Sequence, residues 1–345
     1  MENRGSSYFQ QAEKERQKNE YDRAVDLYKK AQTLFKKTSD VGNILNCILS
    51  LGHTYRAKGD FTKGKKYYEE GIELAGMLED NYAAADAQVG LALSLRALGD
   101  WHQALQLIRR AEGTYKKLKD PGGEAFSLWA RAGTYRIQGD VNRAVRTYHE
   151  SLLCFRKLKD RSGMAYSYCG LGGSSRVACN YKDSGKYYRM ANRMFGNLKD
   201  RFGLAYSYCG LGNVHRMEGE YKEGLAFFSK AETLYEKIGD RVSYAYTLWS
   251  MATSFKMLGD LATARRYFQE ADRLFRLTQD PRGRIYCILG EGEIYYLKGQ
   301  KKRAGLAFRK AQKAADGYRF KVEGGYARRL LAALKSGKGF PFNLP

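Results

Sequence analysis

Apolar and polar positions along the chain fall into helix-length blocks that recur every 40 residues. Leu204 to Phe228 reads LAYSYCGLGNVHRMEGEYKEGLAFF. Forty residues earlier stands MAYSYCGLGGSSRVACNYKDSGKYY, and forty later YAYTLWSMATSFKMLGDLATARRYF. Self-similarity at a fixed period predicts a stack of like units, each contacting only its neighbours. Every repeat holds two segments of helical length, a helix A of about 16 residues and a helix B of about 18. The segments between them are only a few residues long, so successive helices must run antiparallel.

Two columns punctuate the pattern. Aspartate recurs at Asp40, Asp80, Asp120, Asp160, Asp200, Asp240 and Asp280, and Gly-Asp or Gly-Glu at Gly59-Asp60, Gly99-Asp100, Gly139-Asp140, Gly219-Glu220 and Gly259-Asp260. Glycine tolerates the left-handed conformation that ends a helix, and the acid that follows can cap the next one. Small residues mark where helices meet: Gly52, Ala92, Ala132, Gly172 and Gly212 in helix A, Gly64, Ala104, Ala144, Ser184 and Gly224 in helix B. Between them recur aromatic plugs, among them Tyr68, Tyr148, Tyr188, Phe228 and Phe268. A glycine inside a helix costs roughly 1 kcal/mol against alanine, so its recurrence predicts that close packing recovers more.

Tyr208, Leu211, Gly212, Gly224, Phe228 and Ala231 stand at the spacing of the tetratricopeptide family, which the chain resembles over roughly residues 5–319. The period is 40 rather than 34, and the proline that often ends helix B is missing. Such long repeats are similar to those of the LGN/Pins group of scaffolds and of many bacterial signalling proteins, though the Gα-binding motifs of the former group are absent. The resemblance implies an all-α fold: a right-handed superhelical α-solenoid of about eight helix-turn-helix repeats, bounded near residues 5–39, 40–79, 80–119, 120–159, 160–199, 200–239, 240–279 and 280–319. Repeat one carries Gln11 and Glu15 at apolar positions, as a solvent-facing cap does. Residues 320–335 read as a capping helix. Residues 336–345, SGKGFPFNLP, read as a flexible tail, with a short docking peptide anchored by Phe340 and Phe342 as the alternative.

Composition bears on partners more than on fold. The formal net charge is +23, which implies attraction to nucleic acid, acidic peptides or anionic surfaces. Part of it lies in helix ends such as Lys116 to Asp120, where cations suit the dipole. No apolar run is long enough to span a membrane, and the polar first twenty residues lack a signal-peptide core; the cytoplasm is the expected compartment. The six cysteines, Cys47, Cys154, Cys169, Cys179, Cys209 and Cys287, form no CxxC pair and read as packed free thiols.

The resemblance places helix A on the concave side, so groove-facing columns can be read out. One is cationic: Arg56, Arg96, Arg136, Arg176, Arg216 and Lys256, ending at Tyr296. Beside it runs an aromatic wall of Phe126, Tyr166, Tyr206, Tyr246 and Tyr286, with Trp129 and Trp249 one turn on. Packed helices lie about 8–10 Å apart and an extended chain advances about 3.3 Å per residue, so one repeat meets about three residues of a peptide. The expected partner is an extended acidic segment of another protein, gripped by Arg96, Arg136, Arg176 and Arg216 as carboxylate clamps, with Asn213 bonding its backbone. Set against this, an arginine near a helix end can simply favour the dipole or pair with Glu218 or Glu220, and the tyrosines can pack on the preceding repeat. The alternative function is binding of single-stranded nucleic acid, for which arginines beside aromatic platforms are also suited. Self-association is left open. No HExxH, Walker loop or metal-ligand spacing is present; Gly170, Gly172 and Gly173 lie in a predicted helix with no strand before it. No enzyme activity, cofactor or metal is expected.

Overall fold

A computed structural model describes residues 2–337 and 339–344; Met1, Lys338 and Pro345, which the sequence places in the first repeat and the tail, lie outside the described residues. The described residues form seventeen α-helices: α1 (Glu2–Gln17), α2 (Tyr21–Lys37), α3 (Val41–Ala57), α4 (Phe61–Met77), α5 (Asn81–Ala97), α6 (Trp101–Lys117), α7 (Pro121–Gln138), α8 (Val141–Lys157), α9 (Arg161–Val177), α10 (Tyr181–Leu198), α11 (Arg201–Glu218), α12 (Tyr221–Ile238), α13 (Arg241–Met257), α14 (Leu261–Leu277), α15 (Pro281–Leu297), α16 (Lys301–Gly317) and α17 (Lys321–Ser336). None is long and apolar enough to cross a membrane.

The aspartate columns cap helices. Asp80 accepts from Ala83 N at 2.9 Å, Asp160 from Gly163 N at 2.9 Å and Asp200 from Gly203 N at 2.9 Å. Each satisfies an amide that the first helical turn leaves without a partner. At most A-to-B turns glycine takes the left-handed conformation, as at Gly219 with φ +86°, with Asn19 and Cys179 in its place at two of them. At the B-to-A turns a non-glycine residue does so, as at Lys159 and Lys199, except at Gly239.

The aromatic plugs work as wedges. Tyr188 of α10 lies between two glycines, one in the helix before it and one in the helix after. A Cβ on Gly172 would come within 2.9 Å of its ring, and a Cβ on Gly210 within 2.2 Å. Tyr68 repeats the arrangement between Gly52 and Gly90. Each ring thus replaces two missing side chains and draws successive odd-numbered helices together. Those helices form one layer: α9 touches α11, α11 touches α13, and α13 touches α15.

The chain packs as two compact units. The first is residues 1–131 with 238–240, and the second is residues 132–237 with 241–345. In the first, the core runs through Tyr68, Val89, Leu93, Ile108 and Tyr115. In the second, α17 closes the last pair with Tyr326 and Leu330 buried. Beyond α17, the segment 339–344 turns back onto the odd-helix face of the same unit, where Leu344 is buried.

Candidate functional site

The cationic column stands in the last turn of helix A, so it follows the odd-numbered helices. In the first unit its members are already engaged. Arg56 donates to the Tyr68 hydroxyl at 3.3 Å, and His53 joins that hydroxyl, at 2.8 Å, to Asp86, at 3.2 Å. Arg96 donates to the carbonyl oxygen of Ala130 at 3.4 Å. Phe126 and Trp129 stack with centroids 5.6 Å apart. This unit therefore carries an acid, Asp86, among its cations, its carboxyl held below the usual range. Burial presses the Asp86 pKa up, but His53 and Arg56 outweigh it and leave it lowered.

The second unit differs. Arg136 closes α7, Arg176 closes α9, Arg216 closes α11 and Lys256 closes α13. The Nε atoms of Arg136 and Arg176 are buried without a hydrogen-bond partner, and among the described residues neither guanidinium is paired with a carboxylate. Gly173 lets Arg136 approach: a Cβ there would stand 3.1 Å from Arg136 Nη1 and 3.1 Å from the Tyr188 hydroxyl.

Arg216 is fully buried. Burial, and after it the charge of Arg176, pushes its pKa down to about 9. It remains a cation at neutral pH and so must find acceptors. Asn213 supplies one: its Oδ1 accepts from Arg216 Nε at 3.2 Å and Nη2 at 3.0 Å, and its Nδ2 donates to the Cys209 carbonyl at 2.9 Å. Asn213 thus orients Arg216. The Trp249 ring lies 5.2 Å from the guanidinium and stacks on Tyr286 at 4.8 Å.

The remaining acceptors come from the tail. Arg216 donates to Asn343 Oδ1 and, at 3.0 Å, to the Leu344 carbonyl; Asn343 Nδ2 donates to the Arg216 carbonyl at 3.0 Å. Lys256 donates to the Phe342 carbonyl and is paired with Glu293, both buried. Burial lowers the Lys256 pKa and raises that of Glu293. The Tyr326 hydroxyl lies within hydrogen-bond reach of both the Glu293 carboxylate and the Pro341 carbonyl, with one proton to give to either. Phe340 stacks on Tyr296 at 3.8 Å, next to Phe308 at 5.9 Å.

Three wall tyrosines tie neighbouring repeats together. Tyr166 donates to Asp200 at 2.8 Å, Tyr246 to Asp280 at 2.8 Å, and Tyr286 to Glu323 at 2.7 Å. Arg282 also donates to Glu323, at 2.6 Å. Tyr206 stacks on Phe202 at 6.3 Å. Sequence reasoning did not single out Glu293 or Glu323. The signal for the tail's socket was the break in the cation column at Tyr296.

All six cysteines are free thiols, with Cys47, Cys169 and Cys287 buried. Among the described residues, the nearest approach to a metal-ligand set is His215, Glu218 and Glu220, where His215 is already bonded to Glu220.

The tetratricopeptide repeat family model matches residues 41–117 and 203–277. No curated protein matches the chain. Among solved structures, a Rap protein complexed with competence and sporulation factor aligns at TM-score 0.63 and 12% identity, over 96% of this chain and 98% of that one. NprR in complex with its cognate peptide NprX aligns at 0.60 and 17%, over 90% and 94%. Aspartyl phosphate phosphatase F from Bacillus subtilis aligns at 0.60 and 14%, over 88% and 76%. At these identities the likeness is one of fold.

Proposed function

Because this chain is a tetratricopeptide-repeat protein, we propose that it is a binding scaffold whose second unit holds an extended segment of a partner protein. That segment lies across the odd-helix face, with an acidic group against Arg136 and Arg176. The observation that carries this reading is the pair of buried Nε atoms on those two arginines, neither with a hydrogen-bond partner. Both side chains are half-buried, and a buried N–H without an acceptor is costly. A carboxylate can accept from the planar guanidinium in two places and relieve it. NprR, of similar fold, is solved with a peptide, which supports the peptide class without fixing its charge.

Selection from a displayed random-peptide library tests this, with Arg136→Glu/Arg176→Glu as counter-target. Enriched peptides should carry aspartate or glutamate and should fail on the charge-reversed protein. Peptides held equally by both proteins would contradict it. Titration of a labelled single-stranded RNA oligonucleotide against salt separates the other class of ligand: tight binding that falls log-linearly with salt would move the function to nucleic acid.

A further inference from the structure

The segment 340–344 is bound the way a ligand is bound. Its acceptors are mostly backbone carbonyls, taken by side chains of three different helices: Tyr326 for Pro341, Lys256 for Phe342 and Arg216 for Leu344. Any extended peptide could present such carbonyls. Selectivity comes from the side chains: Phe340 stacked on Tyr296, Phe342 at 4.6 Å from Phe340, Asn343 exchanging hydrogen bonds with Arg216, and Leu344 buried. No backbone-to-backbone hydrogen bond holds this segment among the described residues. The chain reaches it from α17 through residues 337–339, of which Gly337 and Gly339 take positive φ.

We propose that the socket formed by Arg216, Lys256, Tyr296 and Tyr326 is a peptide-recognition site, filled in cis by residues 340–344. A partner segment enters it by displacing them. This rests on the reading of the face as a peptide site and names the ligand: a neutral anchor of the form aromatic-Pro-aromatic-Asn-aliphatic, followed on its C-terminal side by acid.

The direction follows from the tail's path. It passes α15 at Phe340, α13 at Phe342 and α11 at Leu344, so one repeat consumes two residues between Lys256 and Arg216. Continued along the same face, a longer peptide meets α9 and α7, where the Nε atoms of Arg176 and Arg136 have no acceptor among the described residues. The acid also answers a competition problem. A segment tethered by three residues acts at an effective concentration of roughly millimolar, so an anchor alone competes poorly. Contacts beyond the tail's reach supply the difference.

The test uses fluorescein-labelled Gly-Phe-Pro-Phe-Asn-Leu-Pro as probe on the full chain. Phe340→Ala/Phe342→Ala empties the socket, and that variant should bind the probe at least about tenfold tighter than wild type. Equal binding by the two proteins, or no binding by a folded variant, would overturn the proposal. As a check that needs no variant, a fluorine label on Phe340 of the otherwise unaltered chain should move to its solvent-exposed frequency as unlabelled probe is raised past the tail's effective concentration, to roughly ten millimolar; an unmoved signal there would overturn it equally. The same probe extended by aspartates at its C-terminal end, compared on Phe340→Ala/Phe342→Ala with and without Arg136→Glu/Arg176→Glu, reports on the acidic-segment reading alone. Failure of the extension with success of the short probe would sink that reading and leave this one standing.

Discussion

Arg216 donates a hydrogen bond of 3.0 Å to the carbonyl oxygen of Leu344, 128 residues further along the chain. The bond ties the end of α11 to the tail and satisfies a guanidinium that has no carboxylate partner among the described residues. Arg216→Ala removes the donors for both Asn343 and Leu344. The tail should then exchange freely, read as a loss of the stacked Phe340 environment by NMR. Arg216→Lys keeps the charge but not the fork and should release the tail partly. An unchanged tail in Arg216→Ala would contradict this placement of its anchor.

The buried pair of Lys256 and Glu293 lies beneath the tail. Lys256→Met alone strands a buried carboxylate and should cost about 3–5 kcal/mol in denaturant unfolding. Lys256→Met with Glu293→Leu removes both charges and should recover most of that loss. A double variant as unstable as the single one would show that Glu293 does not depend on Lys256.

The plug geometry predicts opposite effects of one substitution at two glycines. Gly210→Ala places a Cβ 2.2 Å from the Tyr188 ring and should destabilise by about 1–3 kcal/mol. Gly113→Ala meets nothing within 4 Å on the exposed side of α6 and should stabilise by about 0.5–1 kcal/mol. Thermal unfolding of the two variants beside wild type reads the difference in sign.

Acid should act on the two units in opposite senses. In the first, burial presses the pKa of Glu13 up, but its bonds to Arg16 and Tyr28 prevail and lower it; Asp86 behaves alike. Carboxyls whose folded pKa is lowered contribute stability that is complete above their unfolded value and lost as pH falls through the folded one. In the second unit, burial raises Glu293 and Asp280. Those carboxyls bind their protons more tightly when folded, so their contribution falls as pH rises from the ordinary value, about 4, to the raised one. Hydrogen exchange corrected for intrinsic rate should show α13 and α15 gaining protection as pH falls from neutral towards the ordinary carboxyl value, about 4, while α1 and α5 hold theirs over that range and lose it only below it. Parallel changes in both units would contradict the assignment.

What the sequence disclosed was whatever obeys a local rule. Asp80, Asp160 and Asp200 could be read as caps because a cap bonds three residues ahead. The column of Gly52, Gly172 and Gly212 could be read because helix interiors seldom repeat glycine. Its companion, Gly90, Gly170, Gly210 and Gly290, was equally visible, but its partner ring belongs to the preceding helix. The cation column was legible as positions and not as partners. Arg216 finds its acceptors in the tail across 127 and 128 residues, and no periodicity announces that. The wall tyrosines carried a readable clue: Tyr166 and Tyr246 each stand 34 residues before the aspartate they bond.

Reciprocal charge reversal tests the central reading most directly. A peptide carrying the aromatic anchor and a C-terminal acid is titrated against Arg176→Glu, then remade with lysine in place of the acid. Binding should weaken by about tenfold or more in the variant and return when the peptide's charge is reversed as well. A folded Arg176→Glu protein that binds the acidic peptide as wild type does, or gains nothing from the lysine peptide, would show that the partner's acid does not lie on Arg176.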